Sequence, residues 1–334
     1  MTAWEGRGAF LAGAGAAANF FATSSPPPRR MASMSRTGRS NVSTAASSTS
    51  TSKSFFSVPA PIKQLFDQFP LLTYPVNQSP QRAPQHRHAH VLYVFTTEHG
   101  AIRGAPSHNP ACLKWQAYLH FSRIPFRIAS ANNHASPSGS LPFVMPRPPD
   151  ASKQAQPVAS GRLQRWAMNN SDEAIEEPGD GRYEAYLSLV DHRIRRAWLY
   201  TVYLSPNSAT LAEPLYILPT SRNSLVRLAI SRQLRLAAEA ELLKFSSVIS
   251  DETLYNQAAE AFAALETLLG NDDWFFGAQR PGLFDASVFA YTHLLLDDGL
   301  GKGWVDTRLR EALMARKRLV MHRERILTQY FDKT

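Results

Sequence analysis

"WFFGAQRPGLFDASVFAYTHLLLD", Trp274 to Asp297, is the stretch whose reading decides the fold. From Leu283 to Leu296 it is apolar almost without interruption, yet Asp285 stands near its start, directly after Phe284. Pro281 and Gly282 come just before, so a helix begins there and Asp285 falls in its first turn. In that turn a carboxylate meets backbone N–H groups that have no intrahelical partner, and the positive end of the helix dipole. Those donors solvate the charge beside an apolar core. The helix behind it is apolar on all sides, which predicts a fully buried central helix of a bundle.

Working outward, everything from Asp180 onward reads as helical. The candidate helices are 182–204, 223–249, 251–270, 283–297 and 306–331, with Asp251 expected to cap the third and Gly270 to stop it. The chain before Asp180 has a different period. "HVLYVF", His90 to Phe95, is an apolar run suited to a buried strand. "NPACLKWQAYLHF" reads as a helix, with Asn109 as cap and Pro110 at the first helical position. "PFRIAS", Pro125 to Ser130, is a second strand, and strand–helix–strand order predicts parallel pairing. "SLPFVM", Ser140 to Met145, gives a third strand. "QPVASGRLQRWAMNN" gives a short strand, then a helix with Ser160 as expected N-cap. The fold class is therefore α/β followed by all-α. A small α/β domain occupies 88–172 and an all-helical domain occupies 180–331, both of ordinary domain size.

Upstream lie a low-complexity Ser/Ala-rich tail, 1–54, and a lead segment with linker, 55–87. The lead segment places Ile62, Leu65, Phe66 and Phe69 at helical spacing between Pro61 and Pro70, with Phe55 and Phe56 just before. This apolar group is a candidate partner-docking segment. The tail is acid-poor, as a cleavable targeting segment is, and a later start at Met31 or Met34 is the competing reading.

The net charge of +9 is concentrated in this region. Residues 1–66 carry seven Lys or Arg and one acid, a net of +6, which leaves only +3 on the remaining 268 residues. That near-neutral body argues against nucleic-acid binding, and the Arg-rich "DHRIRRAW" (191–198) and the basic Arg316, Lys317 and Arg318 read as solvated helix faces. One cysteine, Cys112, allows no intrachain disulfide and no Cys-built zinc cluster. His86, His88 and His90 lack flanking ligands and read as linker rather than metal site. No run of 18 apolar residues exists to span a bilayer.

A buried helix with Asp in its first turn, behind a small α/β unit, resembles the glutathione-transferase fold, a thioredoxin-like domain followed by a helical bundle. "SGSLPFVM" is similar to the place where that superfamily opens its third strand with a cis proline, which puts Pro142 in that role. Gly282 departs from the pattern, which usually has Ser or Thr three residues before the Asp. Within the superfamily, "SPSGSLPFVM", "WFFGAQRPGLFDASVFAYTHLLL" and "LVMHRERILTQYF" resemble the metaxins. The lead "FSVPAPIKQLFDQFPLLTYP" is most similar to the smaller metaxin-like subunit of the fungal mitochondrial sorting and assembly machinery. The resemblance covers about residues 55–331. It implies a peripheral protein on the cytosolic face of the mitochondrial outer membrane, without cofactor. Its implied partners are a β-barrel channel subunit, a second metaxin-like subunit and β-barrel precursors.

A glutathione-transferase-like enzyme is the alternative. Such an enzyme needs a thiol-activating group just beyond the first strand, and here only Thr96, Thr97, Ser107 and Cys112 are available. Cys112 falls in a first helical turn, where the dipole lowers a thiol's pKa, but a lone helical Cys is more often a small core residue. The family's enzymes also place an acid or Gln before the Ser that caps the second helix, and here that residue is Ala159. Pro142, Ser160 and Asp285 are accordingly expected to be structural, with no catalytic, cofactor or metal residue. Function is argued from these positions rather than from the fold.

Overall fold

The structure is a computed structural model, and it describes residues 89–148, 155–173 and 175–331. The tail 1–54 and the lead segment with Phe55, Phe56, Ile62, Leu65, Phe66 and Phe69 lie outside the described residues.

Strands β1 (His90–Val94) and β2 (Phe126–Ser130) pair in parallel, with Leu92 opposite Ile128. Between them run a short helix α1 (Glu98–Ile102) and helix α2 (Pro110–Phe121). Asn109 caps α2 by accepting from the Cys112 N–H, and Pro110 occupies the first position, where its missing donor costs nothing. Strand β3 (Phe143–Met145) is antiparallel to β1, and β4 (Val158–Ala159) is antiparallel to β3. The order is β2-β1-β3-β4. Helix α3 (Leu163–Asn170) closes the α/β unit.

The helical unit opens with a continuous run built from α4 (Tyr183–Leu189), a wide turn Val190–Ile194, α5 (Arg195–Leu199) and a second wide turn Tyr200–Leu204. A further wide-turned helix, Ser208–Ile217, carries Pro214 inside it. Then follow α6 (Ser224–Leu243), α7 (Asp251–Leu269), α8 (Leu283–Leu296), the single turn α9 (Asp298–Gly301), α10 (Arg308–Met314) and α11 (Lys317–Ile326), which ends in a wide turn Leu327–Phe331.

All fourteen residues of α8 are buried. It packs along α2, ten of whose twelve residues are also buried, so the two units share one core. The final turn completes it: Phe331 stacks on Phe289 of α8, and the Tyr330 ring meets Phe121 of α2 edge-on.

Four elements differ from the sequence expectation. The span 306–331 breaks at Arg316, whose backbone leaves helical geometry. Glu266 of α7 supports the break, because its carboxylate accepts from the Arg318 N–H and pairs with the Arg316 guanidinium, capping α11 from another helix. The span 223–249 ends at Leu243, where Ser246 bonds its hydroxyl to the Val248 carbonyl and competes with the helix. Ser250, not Asp251, caps α7, accepting from the Thr253 N–H, while Gly270 stops it at φ 56°. The helix Ser208–Ile217, with Pro214 inside it, lies between the spans 182–204 and 223–249 and is not among the expected helices.

Candidate functional site

Two places carry the residues on which function turns: the start of α8, and the ground beyond the end of β1.

At the start of α8, Gly282 is the N-cap and offers no side chain. Asp285 compensates from within the helix. One carboxylate oxygen accepts from the Gly282 N–H at 2.9 Å, and the other from the Phe275 N–H at 3.1 Å. Nε2 of His322, on α11, lies 2.9 Å from that second oxygen. Asp285 is 2% exposed and His322 is 0% exposed. The His322 ring meets Trp274 and Phe275 edge-on, so the carboxylate ties three segments together inside an aromatic wall.

A second donor of the first turn is met from outside the helix. Oε1 of Glu177, on the connection between the two units, accepts from the Leu283 N–H at 3.0 Å, and Tyr183 Oη–H donates to Oε2. A Cβ built on Gly282 would sit 3.2 Å from the Glu177 carboxylate, tighter than ordinary contact. Glycine at the cap and Glu177 in place of a capping hydroxyl are thus two halves of one arrangement. Burial raises the Glu177 pKa, and the Asp285 charge adds to this, while the Leu283 N–H, the Tyr183 hydroxyl and Lys114 oppose it. Lys114 of α2 is itself buried, which lowers its pKa, and Asp191 and Glu177 counteract.

Beyond β1, three of the candidates for thiol chemistry, Thr97, Ser107 and Cys112, are bonded or buried. Thr97 caps α1, accepting from the Gly100 N–H. Ser107 donates to the Phe95 carbonyl at 2.6 Å and accepts from the Asn109 N–H, and its own N–H is held by Gln116. Burial pushes the Cys112 thiol up to about 12, against weaker opposing contacts from Phe95 and Ser107. The desolvation of a fully buried thiolate outweighs the helix dipole here.

Tyr216, from the helix Ser208–Ile217, fills the adjoining space. Its hydroxyl donates to the His108 carbonyl at 2.9 Å, and its ring packs edge-on against Phe95 and His108. Tyr216 is 5% exposed.

Pro142 and Ser160 flank one rung of the sheet, because Phe143 pairs with Ala159. The Leu141–Pro142 peptide is cis. Ser160 does not act as the N-cap read from sequence. It begins a tight turn, Ser160–Arg162, that leads into α3, and neither the turn nor α3 has a side-chain cap bond. The tight turn supplies the helix entry instead. His90 accepts from the Arg147 N–H through Nδ1, and among the described residues no cluster of His, Cys, Asp or Glu is arranged to hold a metal ion. A surface cavity of about 340 Å³ is lined by Arg182, Tyr186, Thr267, Leu268, Asp272, Phe276 and Gly277, and adjoins the start of α8 through Phe276, whose ring meets Phe284 and Tyr183.

A glutathione S-transferase N-terminal domain model matches residues 110–208, and a glutathione S-transferase C-terminal domain model matches 258–326. A model described as SAM35, subunit of the SAM complex, matches 56–112. Metaxin-3 of Danio rerio is 32% identical over 135 residues, which is 38% of this chain and 42% of that protein. Metaxin-1 of Macaca fascicularis is 26% identical over 216 residues, 62% of this chain and 67% of that protein. Over these spans the chain is similar to the metaxins. Its fold is glutathione-transferase-like. Among solved structures, the chain is similar to the β-etherase LigF of Sphingobium sp. strain SYK-6 (16% identity, TM-score 0.44), covering 74% of this chain and 100% of that one. It is also similar to an apo glutathione S-transferase III (13% identity, TM-score 0.42), covering 73% and 94%.

Three site residues escaped the sequence reading. His322 carried a signal: with Leu319 and Ile326 it lies at the i, i+3, i+7 spacing of a buried face. Glu177, on a connection, and Tyr216, on a proline-bearing helix, carried none.

Proposed function

We propose that this chain is a non-enzymatic subunit of the sorting and assembly complex of the mitochondrial outer membrane. In that role it helps receive and insert β-barrel precursors, lies peripherally on the cytosolic face, and contacts a β-barrel channel subunit and a second metaxin-like subunit. The observation that carries this reading is the SAM35 match, which runs from the lead segment through β1 to the start of α2. The geometry beyond β1 supports the non-enzymatic part. Ser107 and Cys112 are locked and buried, and Tyr216 packs against Phe95 and His108 just beyond β1. No helix among the described residues is long and apolar enough to cross a membrane, which fits peripheral association.

Affinity purification of the tagged full chain from gently solubilised mitochondria tests the reading. Copurification of an outer-membrane β-barrel subunit is the expected result. Retention on immobilised glutathione, with turnover of a general electrophile and no copurifying barrel, would overturn it in favour of a transferase.

A further inference from the structure

Helix α6 has two apolar faces. Leu234, Ala238 and Leu242 point into the core. On the opposite side, at helical spacing, Leu225 (73% exposed), Leu228 (68%), Leu236 (52%) and Leu243 (43%) stand in solvent. A 20-residue helix is about 30 Å long, so this stripe is extended rather than a single stray side chain.

The charge of its first two thirds is of one sign, while nearer the C-terminal end stand Glu239, which is exposed, and Glu241, which pairs with Arg195 and Lys244. Residues 221–236 contain Arg222, Arg227, Arg232 and Arg235 and no acid. Arg222, Arg232 and Arg235 are exposed, and none forms an ion pair with a described residue. Elsewhere in the helical unit Arg193, Arg195, Arg308 and Arg325 each meet a carboxylate. A body that is close to neutral therefore presents one helix whose first two thirds interleave leucines with guanidinium groups that form no ion pair with a described residue.

We infer that the outer face of α6 docks on an anionic phospholipid surface, lying in the plane of the headgroups. The leucines would enter the boundary between headgroups and acyl chains. The arginine stems would lie along the same depth and carry their planar guanidinium groups out to lipid phosphate, which they match in charge and geometry. A leucine stripe alone would suit a protein groove as well. The matched, unpaired positive charge is what selects a lipid surface. This inference stands apart from the assembly role: a chain that failed to bind lipid could still be a subunit of the complex.

The test uses the full chain and vesicles of phosphatidylcholine alone or mixed with phosphatidylserine. Cosedimentation with the mixed vesicles is expected, with partitioning at least tenfold weaker for a Leu225→Ser, Leu228→Ser, Leu236→Ser variant. The variant Arg222→Gln, Arg232→Gln, Arg235→Gln is expected to lose the preference for the anionic mixture. The basic tail is identical in all of these proteins, so differences between them report on α6. A second measurement is independent of those variants. Cys112 is fully buried, so an environment-sensitive dye on Leu228→Cys labels α6 alone, and its emission is expected to shift to the blue on anionic vesicles. Unchanged partitioning of both triple variants, or an unshifted dye, overturns the inference. So does loss of copurifying subunits or of a homodimer in the leucine variant without any vesicle binding by the wild type, which would assign the face to a protein partner.

Discussion

Replacing Asp285 by Ala separates a buried tie from a solvated helix-start charge. Loss of an ordinary N-terminal acceptor costs about 1 kcal/mol. The structure requires more. Asp285→Ala orphans the buried Gly282 and Phe275 amides, which the carboxylate accepts at 2.9 and 3.1 Å, and each orphaned donor costs about 1–3 kcal/mol. It also removes the partner of the buried His322 Nε2. The two amides alone give a loss of about 2–6 kcal/mol, a large part of the roughly 5–15 kcal/mol that holds a domain folded. Urea unfolding, compared at constant slope, measures this directly. Asp285→Asn keeps one acceptor oxygen and should fall between wild type and Ala. A double cycle with His322→Ala should show coupling, because the two side chains touch. A loss below about 1 kcal/mol, or strict additivity with His322→Ala, would refute the buried-tie reasoning.

Glu177→Ala orphans the Leu283 amide and should cost about 1 kcal/mol, and Gly282→Ser should be better tolerated in that background than in the wild type, where the new Cβ crowds Glu177; thermal unfolding of the four proteins checks this. His108, His120 and His293 are each lowered to about 4 by burial, with Arg323 also lowering His293. The unfolded chain takes up those protons first, so the stability they contribute is complete above about 6.5 and drains away as pH falls toward 4, by up to about 1.4 kcal/mol per pH unit for each histidine. Glu177, whose pKa is raised, acts in the opposite sense and loses stability as pH rises through its folded value, so Glu177→Gln should steepen the net acid-side decline measured by urea unfolding across pH. Cys112 should stay unreactive toward a thiol reagent in the native protein at neutral pH and react only on unfolding, as absorbance of the released chromophore would show. Deleting residues 1–76 should release the chain from its membrane complex while the body stays folded; full-yield copurification of the truncated chain would move the attachment to the helical unit.

Much of this was legible wherever one local rule governed. Pro281, Gly282 and the apolar run marked α8 and placed Asp285 in its first turn, since helix starts and all-round apolarity are local properties. Asn109 and Pro110 marked α2 for the same reason. What stayed hidden was set by distant partners. Ser160 looked like a cap, but the chain enters α3 through a tight turn. Glu266 of α7 divides what reads as one C-terminal helix, and Glu177 replaces a missing capping hydroxyl from a connection that has no periodic signal of its own. Tyr216 packs beyond β1 from a helix, Ser208–Ile217, that lies outside the expected spans and carries Pro214.

Assembly of a newly imported β-barrel precursor into the outer membrane, followed in isolated mitochondria depleted of this chain, tests the central claim most directly. The account predicts that the membrane-embedded form of the precursor accumulates much more slowly, that a matrix-targeted precursor imports at its normal rate, and that Cys112→Ser or Ser107→Ala protein supplied at wild-type level restores assembly. Unchanged β-barrel assembly after depletion, or a rescue that fails with Cys112→Ser although that protein is folded, would contradict it.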